Sequence, residues 1–142
     1  RPMKRRFLLT TFALIPLLLA GCASTGAVDN SKIGKLAGDL GMTTEQAQAG
    51  TGAVLKLAQA RLEVADFEKI AAVVPRGNEY MALAGRLGAF QGAVPSAGGL
   101  SSAFDKIGIT PSQASKFVPA LTDYVSTAAG RDVGMMLANA LK

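Results

Sequence analysis

The sequence has no histidine, no tryptophan and only one cysteine. Histidine is the commonest metal ligand and general base, and a single cysteine permits no disulfide within the chain. A serine activated by lysine needs lysine three residues later, and no serine has one. We therefore expect no enzymatic activity, no metal site and no bound cofactor.

Excess positive charge is confined to the first residues. The formal charge is +5, from 15 Lys and Arg against 10 Asp and Glu, but four of the basic residues are Arg1, Lys4, Arg5 and Arg6. A chain that starts at Cys22 keeps 11 basic and 10 acidic residues and is nearly neutral. Nucleic-acid-binding domains carry a basic surface, so we expect no nucleic-acid partner.

The first 22 residues have the organisation of a secretion signal. A basic cluster precedes the apolar stretch from Phe7 to Ala20, which is followed by Gly21 and Cys22. The stretch holds 14 residues, including Pro16, whereas a membrane-spanning helix needs about 20. Leu19-Ala20-Gly21-Cys22 resembles the lipobox of bacterial lipoproteins.

That resemblance implies a processing route and a location. Cleavage between Gly21 and Cys22 would remove a signal peptide at 1–21, in which Arg1 and Pro2 are extraneous. Diacylglycerol and a further acyl chain such as palmitate would then be attached to Cys22, at the start of a lipidated tether at 22–30. We expect the protein at the periplasmic face of a bacterial membrane, and Ala23 after the cysteine favours the outer membrane.

Residues 31–142 are predicted to form an all-α domain of six to seven helices, because apolar residues recur there at helical spacing. Two segments related by a shift of 67 residues have the same apolar pattern. They contain Ile33, Leu36, Ala37 and Leu40, and Leu100, Ala103, Phe104 and Ile107. We expect a small helical bundle of two related helix–turn–helix halves, at about 31–74 and 98–142.

Each half has the same turn after its first helix. A glycine there can adopt positive φ to end the helix, and a threonine followed three residues later by glutamine has the spacing of a capping box. The turn residues are Gly41, Thr43 and Gln46 in the first half and Gly108, Thr110 and Gln113 in the second.

A longer helix follows each turn, and we expect it to be weakened at the matching positions Gly52 and Pro119. A short third helix ends each half, and a further helix covers Asn78 to Arg86. The glycine-rich segment from Gly85 to Gly99 is predicted to join the halves as the most mobile part of the domain.

Two passages resemble the uncharacterised VcgC/VcgE family of bacterial proteins. They run from Gly41 to Ala60 and from Phe104 to Val125, and the most distinctive part is Lys116-Phe117-Val118-Pro119 with Asp123-Tyr124-Val125. The resemblance implies a small α-helical domain of the cell envelope, and it brings no catalytic residues.

Two residue pairs could in principle support catalysis. Ser112 and Lys116 are four residues apart on a predicted helix, and Glu63 and Asp66 could form a carboxylate pair. We interpret the first pair as an ordinary solvated helix face and the second as a helix start with its cap.

For the function we expect a non-enzymatic module that binds an unknown envelope protein or its own copy. The alternative is a small carrier of lipids or other hydrophobic molecules, with a cavity lined by Phe104, Phe117, Leu121 and Tyr124. A remote alternative is a helix–turn–helix DNA binder that would read bases through the helix after Gly41.

Overall fold

The computed structural model describes residues 30–90 and 97–142, and this part of the chain consists of seven helices without a strand. The all-α class is therefore confirmed. The helices are α1 (Asn30–Asp39), α2 (Thr44–Arg61), α3 (Val64–Ala71), α4 (Gly77–Arg86), α5 (Ala97–Ile107), α6 (Pro111–Ala129) and α7 (Arg131–Ala140). The signal peptide, the cleavage site at Gly21 and Cys22, the tether before Asn30 and the middle of the predicted join lie outside the described residues.

The order of the helices follows the 67-residue shift seen in the sequence. The first residues of α1, α2 and α3 are 30, 44 and 64, and those of α5, α6 and α7 are 97, 111 and 131. Helix α4 has no counterpart among the described helices. The correspondence concerns positions along the chain, and the division into two related halves stays an interpretation.

Local sequence explains most helix ends. Pro111 occupies the start of α6, where the missing N–H costs nothing. Gly130, with φ of 102°, ends α6 and directly precedes α7. Helix α3 begins at Val64, earlier than its apolar stripe indicated, and it ends four residues before Pro75. Helix α6 continues through Pro119 as one helix.

Helix α2 lies at the centre of the core. Its residues Ala47, Val54, Leu55, Leu57 and Ala58 are all almost fully buried, although they point in different directions around the helix. Helix α4 packs against α2 more extensively than any other described pair of helices, and α1 and α5 also contact it. The single domain is thus built around one helix that is covered on most sides.

Gly52 is the position where α2 and α4 come closest. A Cβ atom built at Gly52 would lie 2.0 Å from the backbone oxygen of Tyr80 and 2.3 Å from its carbonyl carbon. The two backbones therefore touch at this point, and only glycine leaves room for the contact. The prediction that Gly52 weakens its helix is wrong: α2 is continuous there, and the glycine serves close packing against a helix distant in sequence.

Candidate functional site

The first predicted turn is a capped helix junction. Gly41 has φ of 65° after the end of α1. The hydroxyl oxygen of Thr43 accepts from the backbone N–H of Gln46 at 3.1 Å, and the Gln46 side-chain oxygen accepts from the Thr43 N–H at 2.9 Å. These two bonds satisfy backbone donors that the start of a helix otherwise leaves unpaired.

The second turn has the same geometry. Gly108 has φ of 85°. The backbone N–H of Gln113 donates to the Thr110 hydroxyl oxygen at 3.2 Å, and the Thr110 N–H donates to the Gln113 side-chain oxygen at 3.0 Å. Both turns are therefore capping boxes that follow a glycine of positive φ.

Each capping glutamine also reaches the other turn. The Gln46 side-chain nitrogen donates to the carbonyl oxygen of Gly108 at 3.0 Å, and the Gln113 side-chain nitrogen donates to that of Gly41 at 3.2 Å. Longer bonds of 3.4 Å run to the preceding carbonyls of Ile107 and Leu40. We call these four bonds the reciprocal clasp.

The reciprocal clasp satisfies carbonyl groups at the C-terminal ends of α1 and α5, which have no partner within their own helices. Sequence reasoning predicted both capping boxes but not the contact between them. The contact also uses both polar atoms of the Gln46 amide, so this side chain cannot read a base edge in the manner of a DNA-recognition helix.

The two candidate catalytic pairs are ordinary surface features. Ser112 and Lys116 are exposed, and within the described part of the chain they form no hydrogen bond with each other. Glu63 is the N-cap residue of α3 but makes no side-chain cap bond. The Asp66 carboxylate accepts from Lys69 Nζ at 2.7 Å. Across the described residues, no group of three or more His, Cys, Asp or Glu side chains could hold a metal ion.

Three of the side chains predicted to line a carrier cavity belong to the packed core. Phe104, Phe117 and Leu121 are almost completely buried, and the two phenyl rings meet edge to face with centroids 6.0 Å apart. The cavity beside Phe104 has a volume of about 70 Å³. An apolar cavity of about 150 Å³ is needed to hold benzene, so this cavity is too small for an acyl chain.

A larger polar groove lies between α2 and α4, and we call it the α2–α4 groove. Its volume is about 350 Å³. It is lined by Glu45, Gln48, Arg76, Glu79, Tyr80, Leu83 and Arg86. The α4 residues recur at spacings of three or four, which puts them on one helix face, and the α2 residues are one turn apart.

The chain enters the domain at the edge of this groove. Asn30, the first residue of α1, accepts through its side-chain oxygen from the Tyr80 hydroxyl and from the Gln48 side-chain nitrogen, the latter at 3.3 Å. Three helices are thereby joined at one point. Whatever precedes Asn30 in the chain must therefore start next to the α2–α4 groove.

Two of the four charged side chains in the groove neutralise each other. Arg76 Nε donates to a Glu79 carboxylate oxygen at 2.8 Å, and this hydrogen bond raises the pKa of the guanidinium above its ordinary value. Glu45 and Arg86 have no side-chain hydrogen bond or ion pair with any other described residue. The groove therefore offers one uncompensated charge of each sign.

Sequence reasoning did not identify the α2–α4 groove. The signal that could have found it is the polar stripe of α4, in which Arg76, Glu79 and Arg86 share a face with Leu83. This stripe resembles any solvated helix face until the structure brings Glu45 opposite to it.

Large apolar side chains are exposed at few places in the described chain. They are Val64 at 73%, Met135 at 51% and Leu87 at 37% exposure. Val64 begins α3 and Met135 lies in α7, and these two helices pack against each other. None of the described helices is both long enough and apolar enough to span a membrane.

The comparisons with known proteins give a family but no function. Residues 23–142 match the family described as "Protein of unknown function VcgC/VcgE (DUF2780)". No curated protein and no solved structure matches the chain. The match covers all seven helices and both capped turns, and the chain belongs to the VcgC/VcgE family of proteins of unknown function.

Proposed function

We propose that this protein is a lipoprotein held at the periplasmic face of a bacterial membrane, the outer membrane being favoured, and that its helical domain binds another envelope protein or a second copy of itself. In this proposal the domain is not an enzyme and takes no cofactor. The only prosthetic chemistry is the diacylglycerol and acyl chain on Cys22.

Two observations support the lipid anchor. Leu19-Ala20-Gly21-Cys22 follows an apolar stretch that is too short to span a membrane. The family match begins at residue 23, directly after the cysteine, so the conserved domain and the leader meet at the proposed processing site. Several acyl chains on one cysteine give stable anchoring, whereas a single chain holds only marginally.

The interaction role rests on the apolar surface of α3 and α7. Val64 and Met135 are the two most exposed large apolar side chains in the described chain, and they lie on helices that pack together. Methionine is common at binding surfaces because its side chain adapts to irregular partners. We therefore assign the partner surface to these two helices.

The partner surface can be tested by photo-crosslinking in intact cells. A photoreactive amino acid is placed at Met135, at Val64 and, as a control, at Lys116, which is exposed on α6. We expect a reproducible adduct, identified by mass spectrometry, at Met135 and Val64 but not at Lys116. Absence of adducts, or equal adducts at all three positions, would contradict the proposal.

The anchor needs a separate experiment. Cells are labelled with an alkyne fatty acid, and the label on the protein and its membrane fractionation are compared with those of Cys22→Ala. We expect both to be lost in the variant, and retention of both would show that the address is wrong. A lipid extracted from the purified protein, with no cross-linked partner, would favour a carrier instead.

A further inference from the structure

The α2–α4 groove carries two unpaired charges of opposite sign. We propose that it binds the zwitterionic headgroup of a phospholipid that has both a phosphate and a primary ammonium, as phosphatidylethanolamine has. Arg86 would hold the phosphate and Glu45 the ammonium. The choice of a membrane lipid as the source of this headgroup rests on the proposed lipid anchor.

The position of the groove places it within reach of a membrane. Seven residues separate Cys22 from Asn30, and Asn30 is bonded to the groove residues Tyr80 and Gln48. A fully extended tether of this length covers about 25–30 Å, and a flexible one averages about 15 Å. A lipid on Cys22 would therefore keep the groove close to the headgroup region.

The charges of the groove select the class of ligand. A guanidinium matches phosphate oxygens in geometry as well as in charge, and a carboxylate accepts hydrogen bonds from a primary ammonium. A ligand with a phosphate alone would meet the unpaired carboxylate of Glu45, and a simple amine would meet the unpaired guanidinium of Arg86. A ligand with both charges satisfies both groups.

The remaining lining fits a lipid headgroup. Arg76 and Glu79 already form an ion pair and leave no net charge on that wall. Leu83 lines the groove, and Leu87, one turn further along, is 37% exposed beside it on the same helix face. These leucines offer apolar contact to the glycerol and the first methylenes of a lipid. The volume of about 350 Å³ lies at the small end of the range for small-molecule sites.

The first test uses soluble headgroups and the full chain in an uncharged detergent. Glycerophosphoethanolamine, glycerophosphocholine and glycerophosphoglycerol are titrated while the NMR resonances of Tyr80 and Leu83 are followed. These probes share a phosphodiester and differ in the second group: primary ammonium, quaternary ammonium without N–H donors, or uncharged glycerol. We expect glycerophosphoethanolamine to bind at least about tenfold more tightly than the other two, the equivalent of one charge-assisted hydrogen bond.

Matched variants assign the two charges. Glu45→Gln should remove the preference for the primary ammonium, and Arg86→Gln should weaken all three probes. Arg131→Gln, which neutralises a charge on α7, serves as the control and should change nothing. Equal binding of all probes by the unmodified chain, or titrations that neither groove variant alters, would overturn the site.

A second test identifies the source of the headgroup and separates this proposal from the anchor. The acylated protein is inserted into vesicles of phosphatidylcholine alone or mixed with phosphatidylethanolamine, and hydrogen exchange of the α4 amides is measured. We expect slower exchange only in the mixed vesicles and only with Arg86 present. Unchanged exchange together with binding of the soluble probe would overturn the membrane source. Loss of the anchor in the Cys22→Ala experiment would leave the soluble titrations unaffected.

Discussion

Helices α2 and α6 occupy matching places in the chain and yet have different environments. Both follow a glycine of positive φ and both begin with a Thr–Gln capping box. Helix α2 is buried on most sides, whereas α6 buries only Phe117, Leu121 and Val125 along one stripe. The same local signal therefore begins a central helix in one place and a peripheral helix in the other.

Helix α4 accounts for much of the difference. It covers α2, and no described helix stands in the corresponding place against α6. The matching positions Gly52 and Pro119 show the consequence. Gly52 admits the backbone of α4, whereas Pro119 lies on an exposed face, where the carbonyl that loses its N–H partner can bond to water.

The largest expected effect comes from closing the contact between α2 and α4. Gly52→Ala places a methyl group 2.0 Å from the Tyr80 backbone oxygen, and backbone cannot move aside as a side chain can. We expect a loss of at least about 3 kcal/mol in the free energy of unfolding, at the upper end for overpacked cores. Urea unfolding followed by circular dichroism measures it.

The matched control is Pro119→Ala. Alanine restores a backbone donor and has a far higher helix propensity than proline, so we expect stability to be unchanged or raised. Similar losses at the two positions would contradict the view that Gly52 serves a tertiary contact.

The two turn glycines offer a finer comparison. Alanine at either position must adopt positive φ, which costs about 1 kcal/mol. A Cβ at Gly108 would also lie 3.0 Å from the Gln46 side-chain nitrogen, whereas a Cβ at Gly41 has nothing within 4 Å. We expect Gly108→Ala to lower the melting temperature more than Gly41→Ala. Equal shifts would show that the reciprocal clasp absorbs the methyl group without loss.

The capping function and the clasp function of a glutamine can be separated. Gln46→Ala removes both, and we expect a loss of about 1–2 kcal/mol. Gln46→Glu keeps the oxygen that accepts from Thr43 but removes the nitrogen that donates to Gly108. Its unfolding free energy should lie between those of the unmodified chain and the alanine variant, and Gln113 should behave in the same way. A Gln46→Glu chain as stable as the unmodified one would show that the clasp adds nothing to the cap.

The smallest expected effect concerns an ion pair that α1 has and α5 lacks. Lys35 Nζ lies 2.9 Å from an Asp39 carboxylate oxygen, whereas the matching positions are Ser102 and Lys106. The hydrogen bond and charge of Asp39 raise the pKa of Lys35 above 10.5. The folded chain thus holds this proton more tightly than the unfolded chain, and the contribution to stability is present below pH 10.5 and lost as the pH rises through the raised pKa.

The measurement compares Lys35→Gln with the unmodified chain across that range. The stability difference should be small, because both side chains are exposed and water screens the pair. It should vanish at the alkaline end. A difference that grows with pH would contradict the assignment to this ion pair.

Features that depend on neighbouring residues could be predicted from the sequence. The capping boxes at Thr43 and Thr110 require only a threonine and a glutamine three residues apart, and a glycine before them ends the preceding helix. The helical class follows in the same way from the spacing of apolar residues.

Features that depend on distant residues could not be predicted. The role of Gly52 requires knowledge that α4 crosses α2 at Tyr80, and nothing near Gly52 in the sequence shows it. The α2–α4 groove likewise brings Glu45 together with Arg86, a residue more than ten helical turns further along the chain. Charged residues on a helix face are common, so the pattern alone did not indicate a site.

The reciprocal clasp has a consequence for the origin of the fold. Gln46 bonds to the turn at Gly108, and Gln113 bonds to the turn at Gly41, so a shift of 67 residues exchanges the two contacts. An interface in which residue i meets j while j meets i is the mark of a two-fold symmetric homodimer. Two separate chains, each with one helix–turn–helix unit, could form the same bonds. Gene duplication and fusion of such a dimer would yield this contact within a single polypeptide.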